Sequence, residues 1–134
     1  MPDPSDRICS SSGVPTAMPH PRRIGDEAED RAARYLAEIG YVLVKRNYVG
    51  RDSEIDLIAL DGDCLVFVEV RYRKSRDWES PEESVSPAKQ RRLWRAAEQY
   101  LADVVGKEMS MRFDVIALTE TDLRHHKDAF RPLP

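Results

Sequence analysis

Two adjacent stretches near the middle of the chain alternate apolar and other side chains with the period of a β-strand. Residues 54–60 and 65–71 place apolar side chains at every second position, namely Ile55, Leu57 and Ala59, then Val66, Val68 and Val70. The dipeptide Asp61-Gly62 between them is typical of a hairpin turn, because two-residue turns need residues that tolerate a positive φ. The pattern therefore predicts a β-hairpin at the centre of the fold.

The hairpin brings two carboxylates together on one face of the predicted sheet. With a four-residue loop, Asp56 lies directly opposite Glu69, and with a two-residue loop it lies one diagonal step away. Like charges at that distance destabilise a sheet unless a cation, a shared proton or a basic side chain compensates them. Arg71 points to the same face, two residues after Glu69. Two acids and a base on one surface suit a divalent metal ion with a positive group beside it.

Helical spacing and short apolar runs predict two helices and two more strands. The first helix covers residues 26–39 and is closed by Gly40, and the second covers residues 87–105 after Ser86 as its N-cap. Val104 belongs to the predicted core face of the second helix. The further strands are predicted at residues 41–48 and 111–118.

Glu29 lies at the edge of the apolar stripe of the first helix, three residues before Ala32 and seven before Leu36. From that position its carboxylate can lean toward the sheet as a metal ligand. The alternative is an acid in the first helical turn, which the helix dipole favours. The pattern alone favours this second interpretation.

The composition sets the broad class of protein. At 134 residues, with 41% hydrophobic and 34% charged residues, the chain is long enough for one domain with a core. Residues 1–23 contain many Pro and Ser and no periodic pattern, which predicts a disordered leader before a domain at residues 24–134. No apolar run approaches the roughly 20 residues that span a bilayer, and the N-terminus has no signal-peptide core, so we expect a cytoplasmic protein without a membrane partner. Cys9 and Cys64 form neither a disulfide framework nor a zinc spacing.

Basic residues cluster after the hairpin and at the start of the second helix. They are Arg73, Lys74 and Arg76 in the loop and Lys89, Arg91, Arg92 and Arg95 in the helix. The usual interpretation of such charges is a solvated helix face. Together with Trp78 and Trp94 they also suit a surface that follows a phosphate backbone and stacks on bases. The net charge of −3 argues against a strongly basic protein, but binding needs only a local patch.

The tail after the last predicted strand contains the adjacent His125 and His126. Two neighbouring side chains cannot face one site from a regular strand or helix. We therefore expect surface or capping roles for these histidines rather than metal ligation.

Several short motifs occur in a specific order between residues 25 and 130. They are Glu29 with the alanines that follow it, Glu54-Ile55-Asp56-Leu57-Ile58, Val66-Phe67-Val68-Glu69-Val70-Arg71, Ser86-Pro87-Ala88-Lys89, Arg112-Phe113-Asp114-Val115 and Asp128-Ala129-Phe130. In this order and spacing the chain resembles the YraN-like bacterial proteins of the PD-(D/E)xK nuclease superfamily, which are related in fold to archaeal Holliday junction resolvases.

The resemblance implies a single α/β domain with a mixed central sheet flanked by helices, a restriction-endonuclease-like core with the hairpin at its centre. It implies a divalent-metal-dependent endonuclease that hydrolyses DNA phosphodiester bonds, with branched or distorted DNA as a candidate substrate. Asp56 and Glu69 would then bind Mg²⁺ or Mn²⁺, with Glu29 as a third acid. Arg71 would occupy the position of the superfamily's lysine. Resolvase relatives are dimers, which leaves a homodimer open.

Two residues depart from the family pattern. Ser53 stands where the group usually has Gly, which affects the turn into the strand. Arg71 replaces a lysine, and a guanidinium remains charged and cannot act as a base, although it can stabilise charge in a transition state. Lys74 and Lys89 are candidates to supply the missing amine.

Two competing hypotheses remain open. In the first, the chain is a non-catalytic nucleic-acid-binding or adaptor protein that retains the nuclease fold. Salt bridges that lock the acids to Arg51, Arg71 or Arg112 would favour it. In the second, the charges form only a structural acid–base network, because such networks imitate active sites.

Overall fold

A computed structural model describes residues 23–73 and 85–131. These residues form two α-helices and five β-strands, and the strands make one sheet. In chain order the elements are α1 (Arg23–Glu38), β1 (Val42–Val49), β2 (Glu54–Asp61), β3 (Cys64–Tyr72), α2 (Pro87–Tyr100), β4 (Met111–Leu118) and β5 (Leu123–His126). The strand order is β1-β2-β3-β4-β5, and every pair is antiparallel except β3 and β4, which are parallel. The predicted α/β fold with a mixed central sheet is confirmed, and it is restriction-endonuclease-like.

The two helices cover opposite faces of the sheet. Side chains of α1 pack on alternate strand positions, in a cluster that includes Ala32, Leu36, Leu57 and Val68. Side chains of α2 pack on the intervening positions, in a cluster that includes Leu93, Ala97, Ile58, Phe67 and Phe113. Because successive strand residues point to opposite faces, central strands covered on both sides bury consecutive apolar residues. This explains why residues 65–68 of β3 are all buried.

The hairpin turn lies one residue later than the sequence pattern predicts. Asp61 pairs with Cys64 and remains in the strand. Its carboxylate accepts a hydrogen bond from Arg112 Nη2 at 3.0 Å, which holds it there. The turn residues are therefore Gly62 and Asp63. Gly62 has a φ of 59°, a positive value that primed hairpin turns require at their first central position.

Strands β2 and β3 stop pairing with each other beyond Leu57 and its partner Val68. From Glu69 to Tyr72, β3 continues alongside β4. The sheet therefore opens into a fork between β2 and β3. Asp56 and Glu69 are the first residues past the last pair, in the register that sets them opposite each other.

The second helix ends earlier than predicted, because Leu101–Val105 form a π-helical turn after α2. A π-helix has more residues per turn than an α-helix, so the apolar stripe changes phase at this point. Val104, which we predicted in the core, is 58% exposed as a result. Gly106 ends the turn with a φ of 77° and donates its N–H to the Leu101 carbonyl at 2.8 Å.

None of the helices within residues 23–73 and 85–131 is both long enough and apolar enough to cross a bilayer. The first helix begins at Arg23, three residues before its predicted start. The rest of the predicted leader and the loop residues Lys74, Arg76 and Trp78 lie outside the described residues.

Candidate active site

The fork between β2 and β3 holds the carboxylate of Asp56. Its Oδ2 accepts a hydrogen bond from the backbone N–H of Val70 at 2.9 Å. The carboxylate therefore takes the place of a backbone partner at the point where the two strands separate. Asp56 is only partly buried, so its other oxygen can meet a ligand at the mouth of the fork.

Glu69 lies on the opposite arm of the fork and is 5% exposed. Its Oε2 accepts a hydrogen bond from Lys89 Nζ at 2.8 Å and lies 3.4 Å from Arg71 Nη1. Two basic groups thus converge on one carboxylate oxygen. Arg112, another predicted candidate for pairing with the acids, instead contacts Asp61 and Asp114, and the latter lies on the other face of the sheet.

Glu29 of α1 is 4% exposed, and its charge acts on the pKa of Asp56. Because α1 begins at Arg23, Glu29 lies in the second turn rather than the first, and the helix dipole does not explain it. Within the described residues, its Oε1 has no hydrogen-bond donor, and Arg46 Nη2 lies 3.6 Å away. Burial raises the pKa of Glu29, and the nearby Arg46 and Asn47 only partly offset this. An acid in this state would be stabilised by a cation.

The backbone is strained next to these acids. Asn47 of β1 has a φ of 53°, in the left-handed region that β-strand residues rarely adopt. It lies opposite Asp56, between the pairs that Arg46 and Tyr48 make with β2. Sequence reasoning did not identify Asn47, although asparagine is enriched at positive φ.

The electrostatics of Asp56 indicate that the acids act on one another. Burial, followed by the nearby carboxylates of Glu69 and Glu29, raises its pKa to about 7. The Val70 N–H and Lys89 act in the opposite direction. A divalent cation would relieve the same repulsion by neutralising the carboxylates.

The carboxylate oxygens of Asp56 and Glu69 are the type of ligand that a hard divalent cation prefers. Within residues 23–73 and 85–131, no three or more His, Cys, Asp or Glu side chains are grouped closely enough to hold a metal ion. Mg²⁺ is commonly bound by one or two carboxylates, with water and substrate phosphate completing the shell. Asp56 and Glu69 supply that number of carboxylates. The participation of all three acids, with Glu29, stays a prediction.

The predicted basic patch divides into different environments. Lys89 points to Glu69 in the site. Arg91 and Arg92 are exposed and make no ion pair with any other residue in the described ranges. Arg95 is exposed as well, but its Nε contacts Asp52 Oδ2 at 2.8 Å. Among the described residues, two of the three outer arginines thus have no ion-pair partner.

Trp94 is less suited to stacking on bases than the sequence suggested. Its ring packs against Phe113 with centroids 5.5 Å apart, and the residue is half-buried at the edge of the core.

Arg73, the first basic residue predicted after the hairpin, follows the end of β3. It donates its backbone N–H to the Leu118 carbonyl at 2.7 Å, which fixes the end of the strand.

Sequence reasoning missed a second charged network, on the α1 face of the sheet. Asp114 is fully buried, and its Oδ1 accepts a hydrogen bond from Arg112 Nε at 3.0 Å. His125 Nε2 lies 2.7 Å from Asp114 Oδ2, and His125 Nδ1 lies 3.0 Å from the Tyr35 hydroxyl. The prediction of a surface role was wrong for His125, because its side chain is 4% exposed. The sequence signal that could have predicted this network is Asp114 itself, a charged residue within the apolar alternation of residues 111–118.

The fold and the fork together define a class of protein. A mixed sheet between two helices is a restriction-endonuclease-like fold, and acids from neighbouring strands lie where those strands separate. Residues 28–118 match the family described as "Uncharacterised protein family UPF0102", and the chain belongs to this family. The resemblance to the YraN-like proteins is thereby confirmed.

Relatives of this family match most of the chain. A UPF0102 protein of Rhodococcus jostii is 42% identical over 118 residues, which cover 84% of this chain and 100% of the relative. One from Symbiobacterium thermophilum is 48% identical over 95 residues, covering 71% of this chain and 80% of the relative. One from Chlorobaculum parvum is 43% identical over 123 residues, covering 84% and 95%.

Proposed function

We propose that this protein is a divalent-metal-dependent endonuclease that hydrolyses DNA phosphodiester bonds. The observation that supports it most is the pairing of Asp56 and Glu69 at the fork, where burial and the charge of Glu69 together raise the pKa of Asp56 to about 7. A structural acid has little reason to be placed against a second acid at an opening in a sheet, since the repulsion costs stability. A cation-binding site gives the two carboxylates a reason to lie together.

Each group in the fork has a role that its chemistry suits. Asp56 and Glu69 would hold Mg²⁺ or Mn²⁺, and Glu29 would add negative charge from α1. Such an ion activates water and neutralises charge on the reacting phosphate. Arg71 would stabilise charge on the phosphate oxygens, because a guanidinium stays protonated and binds phosphate well.

The DNA path runs along α2 in this proposal. Arg91 and Arg92 are exposed near the Lys89 end of the helix, where they could contact the phosphate backbone on either side of the fork. We propose branched or otherwise distorted DNA as the substrate and the cytoplasm as the compartment. A homodimer would present two forks to one such substrate.

A second candidate is a non-catalytic nucleic-acid-binding or adaptor protein that retains the fold. The contacts of Glu69 with Lys89 and Arg71 favour it, because they already neutralise one acid without a metal ion. Asp56 has no such partner among the described residues, however, and this distinguishes the two candidates.

Calorimetric titration of Mn²⁺ tests the proposal. We expect saturable binding to the wild type and loss of binding in Asp56→Asn and Glu69→Gln, both of which keep shape while removing a charge. Asp63→Asn is the matched control, because Asp63 is an exposed acid in the hairpin turn. Wild-type protein should then cleave branched, flapped or duplex DNA with Mn²⁺, and the two variants should not.

Equal Mn²⁺ affinity in the wild type and both variants would exclude this metal site. Substrate phosphate can complete a metal site, so a titration that shows no Mn²⁺ binding is repeated with DNA present. If Mn²⁺ again does not bind, and DNA binds without metal, the non-catalytic candidate is established instead.

A further inference from the structure

Lys89 approaches the fork from a different element than the other charged groups. It lies in the first turn of α2, and its Nζ is 2.8 Å from Glu69 Oε2. Arg71 reaches the same oxygen from β3, but at 3.4 Å. The shorter contact makes Lys89 the principal counter-charge of Glu69.

The first turn of α2 is firmly anchored, which fixes where Lys89 begins. The hydroxyl of Ser86 accepts the Lys89 backbone N–H at 3.2 Å, so the N-cap bond is made to this residue. Gln90 Nε2 donates to the Val85 carbonyl at 2.8 Å, and Val85 is fully buried. The backbone is thus held in place, and motion is left to the flexible four-carbon stem of Lys89.

The Lys89 side chain is 33% exposed, whereas that of Glu69 is 5% exposed. The Lys89 side chain therefore contacts solvent, whereas Glu69 is almost entirely covered. The ammonium can leave Glu69 by rotation of its stem, without movement of the helix. Lys89 is therefore placed to neutralise the buried Glu69 and to be replaced there by another cation.

We propose that Lys89 is an internal counter-ion of Glu69 that a divalent cation displaces, and that the released ammonium contacts the phosphate of bound DNA. This inference rests on the metal site of the proposed function. Like charges cannot share one carboxylate oxygen without repulsion, so a bound divalent cation weakens the contact between Lys89 and Glu69. A compact ammonium with three donors then suits a phosphate oxygen at the same mouth.

Lys89→Met tests the exchange, because it keeps the apolar stem and removes the charge. We measure Mn²⁺ affinity by calorimetry at pH 8.5, above the pKa of Asp56, and thermal unfolding with and without Mn²⁺. Without metal, the variant should unfold at a lower temperature, because Glu69 has lost its closest partner. Its Mn²⁺ affinity should rise about fivefold, because there is no ammonium to displace.

Two further variants make the result specific. Lys89→Arg keeps a cation near Glu69, so its Mn²⁺ affinity should stay close to that of the wild type. Lys107→Met removes an exposed lysine after the π-helical turn and should change neither the affinity nor the unfolding temperature. If Lys89 contacts phosphate, Lys89→Met should also cleave DNA more slowly at saturating Mn²⁺ despite binding the metal more tightly.

The outcomes separate this inference from the proposed function. Mn²⁺ binding to the wild type with unchanged or weaker binding to Lys89→Met overturns the exchange and leaves the metal site standing. Tighter metal binding with an unchanged cleavage rate overturns the phosphate contact alone. No Mn²⁺ binding to any variant, with and without DNA, overturns both the metal site and the role of Lys89.

Discussion

The carboxyl group of Asp56 titrates near neutrality, because burial and the acids Glu69 and Glu29 all favour its protonated form. Its pKa of about 7 in the folded protein lies above the value of about 3.9 in an unfolded chain. The folded state therefore binds this proton more tightly. The resulting stabilisation is fully present below the unfolded pKa and is lost as the pH rises through the folded pKa.

Asp56→Asn should remove this pH dependence in the absence of metal. Asparagine keeps an oxygen that can accept the Val70 N–H but carries no charge. In EDTA, we expect the wild type to lose stability between about pH 4 and pH 7, and the variant to be more stable at pH 8.5 by about 1–2 kcal/mol. Urea unfolding across this pH range measures the difference. Parallel curves for the wild type, the variant and the control Asp63→Asn would contradict it.

The two acids in the fork could be predicted from sequence, whereas most of their partners could not. The two-residue period of the strands places Asp56 and Glu69 on the same face of the sheet. Both hairpin registers considered from the sequence bring the two carboxylates together. The contact between Lys89 and Glu69 joins residues 20 positions apart across the β3–α2 connection. No local pattern shows where a helix lies relative to a strand. The sequence therefore left two candidates, Lys74 and Lys89, for the amine near the acids.

At the scale of elements, the basic residues of α2 point in different directions, one into the fork and the others into solvent. Lys89 points to Glu69 in the fork, and the next turns place Arg91, Arg92 and Arg95 in solvent. The sequence identified these residues as one basic cluster, because charge alone does not reveal direction. The capped first turn at Ser86 determines which of them enters the site.

Replacing Arg91, Arg92 and Arg95 together by Gln should weaken DNA binding. Each phosphate contact contributes about 0.9 to the slope of log affinity against log salt concentration. Arg95 already pairs with Asp52, so we expect the slope to fall by about 2 rather than 3. Fluorescence anisotropy with labelled duplex at several salt concentrations measures it, with Lys107→Gln as control. An unchanged slope would remove α2 from the DNA path.

Element boundaries were less predictable than the elements themselves. The strand β5 (Leu123–His126) was not predicted, since four polar and apolar residues carry no clear period. The π-helical turn also left no sign in the apolar spacing, and it moved Val104 out of the core. The same missing strand explains why the partner of Asp114, His125, was assigned to the surface.

At the scale of the whole molecule, the sheet separates two sets of buried charges. Glu69 lies in phase with Phe67 on the α2 side and contacts Lys89 of α2, whereas the network around Asp114 lies on the α1 side. Burial alone would raise the pKa of Asp114, but His125, Arg112 and the Asp128 N–H outweigh it and lower the pKa. Asp114 is thus fully satisfied as a carboxylate, whereas Asp56 is not.

This difference predicts opposite effects of the same substitution on the two faces. Asp114→Asn should cost about 3 kcal/mol of unfolding free energy at pH 7, because it removes a buried carboxylate charge that pairs with Arg112 and contacts His125 of β5. It should leave Mn²⁺ affinity unchanged, since Asp114 lies on the other face of the sheet from Glu69. Urea unfolding and calorimetry on the same samples measure both quantities. Loss of stability with retained metal binding in Asp114→Asn, and the reverse in Asp56→Asn, would assign structure to one network and ligand binding to the other. Loss of metal binding in a folded Asp114→Asn would show instead that the two faces are coupled through β4.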